Sequence, residues 1–234
     1  MNAPLSLNQL KAIIRNPVEL DARLKPFVEQ LGEDHTAIKH PMIVEPQCFP
    51  AFNKIYNLRF EAALKARDEA FKQQDWEIYI YAHERAYWLE QFDSVKGKLS
   101  DGEYWRILGE IITDCENLWQ YKALLHRLLS SPRSNRATMM RDDEKKAFSD
   151  LPDEMVVYRG YPKGGNKSGW DWTLSKAKAE WHARRYTKNP VLATGQVNKR
   201  DVIACFITNG GNDVLVRASN VKSKRASAID PVAA

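Results

Sequence analysis

Apolar residues recur at intervals of three and four through the first 150 positions and at intervals of two after Pro152, so the chain carries two kinds of hydrophobic pattern. The clearest helical stretch opens at Ser100-Asp101-Gly102-Glu103. This is a capping-box pattern, in which the serine hydroxyl and the glutamate carboxylate satisfy two orphan amides at a helix start. Behind it Tyr104, Ile107, Leu108, Ile111, Ile112, Cys115, Leu118 and Trp119 share one face, and the spacing predicts a helix as far as Leu129, where Ser-Ser-Pro ends it. Two earlier helices are expected over Lys54–Phe71 and Trp76–Phe92, with Asp75 capping the second and the short connection making them antiparallel neighbours. From Leu5 to Leu31 the prolines at 17 and 26 divide the pattern into short helical pieces.

Beyond Pro152 three short β-branched runs read as strands: Met155–Arg159, Asp201–Ile207 and Asp213–Arg217, bounded by Gly, Pro and Asn. One helix is expected among them, Ser175–Tyr186, with Ala179, Trp181, His182 and Ala183 turned inward. The fold class is therefore α+β: an N-terminal helical region over residues 1–150, then a small strand-rich mixed α/β module over 151–234.

Charge separates the same two parts. Residues 1–150 hold 21 basic and 23 acidic side chains, which leaves 14 of the 35 basic and 7 of the 30 acidic residues for 151–234. The second part is thus strongly basic and suits an anionic ligand. A hydrophobic content of 44% excludes a disordered or collagen-like chain. Met1–Leu20 has no apolar run of signal-peptide length, so a cytoplasmic protein without a membrane partner is expected. Cys48, Cys115 and Cys205 are too widely spaced for a structural zinc site and read as reduced core residues.

Several familiar chemistries fail on spacing. Gly164-Gly165-Asn166-Lys167-Ser168 lacks the second glycine of a phosphate loop and reads as a flexible basic surface loop. No histidine pair has helical metal-ligand spacing, no serine sits in a G-x-S-x-G elbow, and His83 reads as a packed or capped histidine. Three elements of the second part remain. Val157-Tyr158-Arg159-Gly160-Tyr161 ends an apolar strand with an arginine suited to gripping phosphate. Gly169-Trp170-Asp171-Trp172-Thr173-Leu174-Ser175 runs a strand into a helix, with Ser175 as an ordinary N-cap and the tryptophans as core in the plainer reading. Asn209-Gly210-Gly211-Asn212-Asp213-Val214-Leu215-Val216 delivers one carboxylate at the start of an apolar strand.

In that order these elements resemble the ADP-ribosyltransferases of the Arg, Ser/Thr, acid class, which include bacterial toxins and small phage-encoded proteins. The resemblance spans about residues 155–217 and none of the helical region. It implies an NAD-consuming enzyme. Arg159, with Tyr158 and Gly160 around it, would hold the dinucleotide phosphates. Thr173 would orient the acid, Trp172 or Trp181 would wall the nicotinamide pocket, and Asp213 would be the catalytic acid. NAD is then the substrate, and the ADP-ribose acceptor is a macromolecule, protein or nucleic acid, or water. The chain has Asp213 where the family usually has Glu, Gly211 where arginine-modifying members carry an acid or amide, and Asp171 where Ser is common.

Two other readings stand beside this one. A member that has lost turnover would act as a binding or inhibitor protein. Alternatively, Lys163, Lys167, Lys176, Lys178, Arg184, Arg185, Lys199 and Arg200, interleaved with Trp170 and Trp172, would form a nucleic-acid-binding surface.

Overall fold

The computed structural model describes residues 17–33, 35–115, 118–165, 169–185, 188–208 and 211–229, with the Trp119 side chain outside the description. Contacts divide the chain into two compact units, one of residues 1–99 with 114–116 and one of residues 100–113 with 117–234. The chain is mixed α+β, with seven α-helices and two antiparallel sheets among the described residues. No described helix is long and apolar enough to cross a membrane.

The first unit contains a sheet that hydrophobic periodicity did not reveal. Strands β1 (Val28–Gln30), β2 (Thr36–His40) and β3 (Ile43–Glu45) form an antiparallel meander. They are too short to show alternation, and β1 is exposed throughout. Of the expected helical pieces before Leu31, residues 1–16 lie outside the description, and residues 17–27 hold a single 3-10 turn, Lys25–Phe27, started by Pro26. Helix α1 (Asn53–Gln73) then buries Tyr56 and Phe60 against Leu24, Ile38, Met42 and Ile43. Gln74 ends it in the left-handed region at φ 57°, and Asp75 caps α2 (Trp76–Tyr81) by accepting from the Ile78 amide at 3.0 Å.

The helix expected over Trp76–Phe92 is broken. Glu84 leaves the helical path because its amide donates to the Pro41 carbonyl at 2.8 Å, and its carboxylate accepts from the Val44 amide at 3.1 Å. The Trp88 indole donates to the His83 carbonyl at 2.7 Å, and the chain restarts as α3 (Trp88–Val95). Tertiary capture of backbone groups thus outweighs a continuous apolar face. His83 is buried as expected and packs edge-on against Tyr79.

The second unit begins with α4 (Asp101–Asp114), whose capping box forms as the spacing predicts: the Glu103 carboxylate accepts from the Ser100 amide at 2.9 Å. The stretch to Leu129 is two helices rather than one, with a 3-10 turn over Leu118–Tyr121 before α5 (Lys122–Leu129). After α6 (Asp142–Ser149) comes the large sheet. Its strands are β4 (Glu154–Pro162), β5 (Asp171–Thr173), β6 (Pro190–Asn198), β7 (Val202–Thr208), β8 (Gly211–Val216) and β9 (Lys222–Ala228), in the spatial order β7-β8-β5-β4-β6-β9. Strands β6 and β9 were not expected. β9 is exposed along its whole length and basic, so it carries no hydrophobic signature and protects the sheet edge by charge. Residue 150, expected as a domain boundary, lies inside this unit, since α4–α6 group with the sheet.

Helix α7 (Lys176–Arg185) crosses between β5 and β6. Its buried face is Ala179 and Ala183, not Trp181 and His182, which are exposed. Gly160 explains the inversion. A Cβ at Gly160 would overlap the Ala179 carbonyl, so the helix backbone lies directly on β4, and only small residues fit beneath it.

Candidate functional site

The large sheet is nearly split down its middle. β4 pairs with β6 along all nine of its residues, from Glu154↔Asn198 to Pro162↔Pro190, but it pairs with β5 only at Tyr158↔Thr173. Past that bridge the two strands part, and the Arg159 side chain occupies the gap. Its Nη1 donates to the Asp171 carbonyl at 2.6 Å and forms an ion pair with the Asp171 carboxylate. The guanidinium lies against Gly169, where any side chain would overlap it. Arg159 is 11% exposed, whereas Asp171 is 81% exposed and meets solvent.

On the other side of the bridge, the register sets Tyr158, Thr173 and Asp213 in one row across β4, β5 and β8. Neighbours in a row share a sheet face, and this face carries α7. Arg159, one residue beyond Tyr158, leaves β4 on the opposite pleat and reaches its partners through the gap. The structure therefore sets Thr173 and Asp213 side by side. It holds Arg159 next to Asp171, which alternation places on the same face as Thr173.

Asp213 is held by two groups that the sequence reading did not assign to the carboxylate. The Lys178 Nζ donates to Asp213 Oδ2 at 2.6 Å, and the Thr208 hydroxyl donates to the same oxygen at 2.8 Å. Lys178 also bonds Thr208, closing a three-membered network. The Lys178 side chain is 8% exposed, so this is a sheltered pair rather than a surface contact. Glu144 of α6 fixes the strand behind it, accepting from the Ile207 amide at 3.1 Å.

Thr173 has a different role from the one expected. Its hydroxyl donates to the Asn212 carbonyl and accepts from the Ser175 amide, each at 3.2 Å. It fixes the backbone just before Asp213 and the start of α7, and the carboxylate itself is oriented by Thr208 and Lys178. Ser175 is the ordinary N-cap, accepting from the Lys178 amide at 3.2 Å. The cap places Lys178 in the first turn of α7, within reach of Asp213.

The aromatic expectations are corrected by burial. Trp172 is 2% exposed, with its indole donating to the Gly169 carbonyl at 3.2 Å, and it is a core residue with no face left for a ligand. Trp181 is 56% exposed on the outer side of α7, with Arg185 over its ring. Gly160 contributes close helix packing, and Tyr158 is half-buried in the central row. His182 was expected to be inward and instead sits near both acids. Although the residue is exposed overall, partial desolvation of its ring lowers its pKa, followed by the Lys178 charge, while Asp213 and Asp171 both act to raise it. One imidazole thus feels the carboxylates of both β5 and β8.

Among the described residues, two buried side-chain polar atoms have no hydrogen-bond partner, Arg159 Nε and Asp213 Oδ1. Buried polar groups are nearly always paired, and each lapse asks for an explanation. Residues 166–168, 186–187 and 209–210, which include part of the basic loop, lie outside the description. No group of acidic, histidine or cysteine side chains suited to a metal occurs among the described residues. The three cysteines are free. Burial pushes the Cys205 thiol up to about 11, and Cys48 and Cys115 are only half-buried. The nucleic-acid surface loses three of its expected members, because Trp170 and Trp172 are buried and Lys178 is engaged.

Comparison with protein-family models, curated proteins and solved structures found no match.

Proposed function

We propose that the strand-rich unit is an NAD-dependent ADP-ribosyltransferase, which cleaves the nicotinamide–ribose bond and passes ADP-ribose to a macromolecule or to water. The observation that carries this reading is the pair of orphaned atoms. Arg159 Nε is a donor lacking an acceptor, Asp213 Oδ1 is an acceptor lacking a donor, and both belong to residues singled out from motif order alone. A phosphate oxygen meets the first need and a ribose hydroxyl the second, and a dinucleotide carries both. Leaving a buried polar group unpaired costs about 1–3 kcal/mol, more for a charged one, so a ligand that pairs both gains correspondingly.

In this reading the C1′–N bond breaks heterolytically. Nicotinamide takes the electron pair and leaves as a neutral molecule, and positive charge builds on C1′. Asp213 supplies the negative charge against it, while Lys178 and Thr208 hold that carboxylate in place. Preorganised charge of this kind is commonly worth ~100–1000-fold in rate per group. The acceptor's lone pair then bonds C1′, and its proton passes to solvent. Arg159 binds and orients the phosphates without making bonds. The exposed Asp171 carboxylate holds the guanidinium until phosphate displaces it.

The Lys178–Asp213 ion pair also favours a second reading, in which the acid is neutralised and the protein binds a partner without turnover. Nicotinamide release from NAD by the purified chain separates the two. Release that falls at least ~100-fold in both Arg159→Ala and Asp213→Asn supports the enzyme. Release that survives both substitutions puts the site elsewhere. NAD binding without release supports the binding protein, and neither binding nor release ends the NAD reading.

A further inference from the structure

The first unit holds a groove of about 570 Å³, within the range of small-molecule sites, formed where the β2–β3 turn faces α1 and α2. Two histidines line it, and the backbone fixes their tautomers in opposite senses. His40 Nδ1 accepts from the Met42 amide at 3.0 Å, which leaves the ring proton on Nε2. His83 Nδ1 lies 2.8 Å from the Tyr79 carbonyl, which only accepts, so Nδ1 keeps the proton and Nε2 carries a lone pair. The two histidines that line the groove therefore differ: His40 carries its proton on Nε2, and His83 keeps a lone pair there. Burial lowers the pKa of both rings, and the Arg67 charge acts in the same direction, which favours the neutral imidazole.

The remaining walls are aromatic and cationic. Phe71 is 56% exposed, its ring lies 5.8 Å from that of Tyr79, and Tyr79 in turn lies 5.2 Å from His83. Arg67 and Lys72 border the groove against a single carboxylate, Asp68, which Arg67 holds at 2.6 Å. One positive charge is left over.

We propose that this groove binds a nucleotide. A heterocyclic base presents a donor beside an acceptor on one edge, matching His83 Nε2 and the His40 Nε2–H. Its ring faces suit Phe71 and Tyr79, and its phosphate suits Arg67 and Lys72. An apolar ligand leaves both imidazole nitrogens unsatisfied, bare phosphate leaves the aromatic wall unused, and a metal finds only one lone pair. The site is independent of Arg159 and Asp213, so its failure leaves the proposed transferase untouched.

The test is a titration of the full chain with each of the four ribonucleoside 5′-monophosphates, read by NMR at the ring Cε1–H signals of His40 and His83. Saturable shifts with a Kd at or below about 1 mM are expected for at least one of them. Inorganic phosphate and the matching nucleoside should each bind at least ~10-fold more weakly, as should the nucleotide to His83→Phe or Arg67→Gln. A short single-stranded oligonucleotide forms the other arm. If it shifts the same signals more tightly than the monophosphates, the nucleotide comes from nucleic acid, and if more weakly, it is free. Absence of shifts at both rings overturns the proposal, and so does inorganic phosphate saturating the site as well as any nucleotide. The wild-type comparison decides the matter even where a variant fails to fold.

Discussion

The Lys178 ammonium lies 2.6 Å from one oxygen of Asp213, while the other oxygen of that carboxylate is buried without a partner. The acid is thus held from one side and unpaired on the other. Removing Lys178 leaves a sheltered carboxylate with only the Thr208 hydroxyl. Lys178→Met should cost about 2 kcal/mol of unfolding free energy, the scale of a hydrogen bond to a charged group. Urea denaturation measures it, and a cycle with Asp213→Asn isolates the coupling. Strict additivity of the two single substitutions shows that the contact contributes nothing.

Asp171 competes with any phosphate for the Arg159 guanidinium charge, because its carboxylate already pairs with that charge at Nη1. Asp171→Asn keeps the shape and removes the charge. Steady-state nicotinamide release should show KM for NAD falling several-fold with kcat little changed, since the carboxylate opposes binding and plays no part in bond breaking. A rise in KM assigns Asp171 to holding the arginine in its working position instead.

Gly160 is where the helix that carries Lys178 touches the sheet. Gly160→Ala places a methyl group into the Ala179 carbonyl and must lift α7. Overpacking of this kind costs about 1–3 kcal/mol. The larger consequence is loss of register between Lys178 and Asp213, so the Lys178–Asp213 coupling should vanish in this background. Wild-type stability in Gly160→Ala contradicts the close packing outright.

The parts of this arrangement that were legible in the chain are those set by local rules. The capping box at Ser100, the Asp75 cap, the Ser175 cap and the apolar runs of β4, β7 and β8 are each written in a few adjacent residues. The order of Arg159, Thr173 and Asp213 drew attention to β4, β5 and β8, and two of these residues carry the orphaned atoms. What stayed hidden depends on pairing at long range. β9 is recognisable only by its ladder to β6, and the break at Glu84 only by the Pro41 carbonyl that captures it. Lys178 looked like one more surface lysine, because nothing local announces that Asp213, 35 residues on, lies over it. Trp181, expected inward together with Ala179, His182 and Ala183, faces solvent. Two alanines one helical turn apart opposite Gly160 were the better signal, since small residues mark a helix lying close on its neighbour.

The two groove histidines make the first unit acid-sensitive. Burial lowers the pKa of His83 and of His40 in the folded state, with Arg67 adding to both. The unfolded chain therefore binds more protons near pH 6.5, the ordinary histidine value, and the slope of unfolding free energy with pH is positive there. The histidine contribution to stability is complete above that pH and is lost as the pH falls toward the folded pKa values. The carboxylates act in the same sense only in more acidic solution; Asp21, for example, is held at about 2 by Arg23. Hydrogen exchange at Ile38, Ile43 and Phe60 in the core of the first unit should accelerate between about pH 7 and 5, beyond the intrinsic pH effect on exchange, and His83→Gln should flatten that dependence. Equal pH dependence in wild type and His83→Gln excludes His83 as a source of the sensitivity.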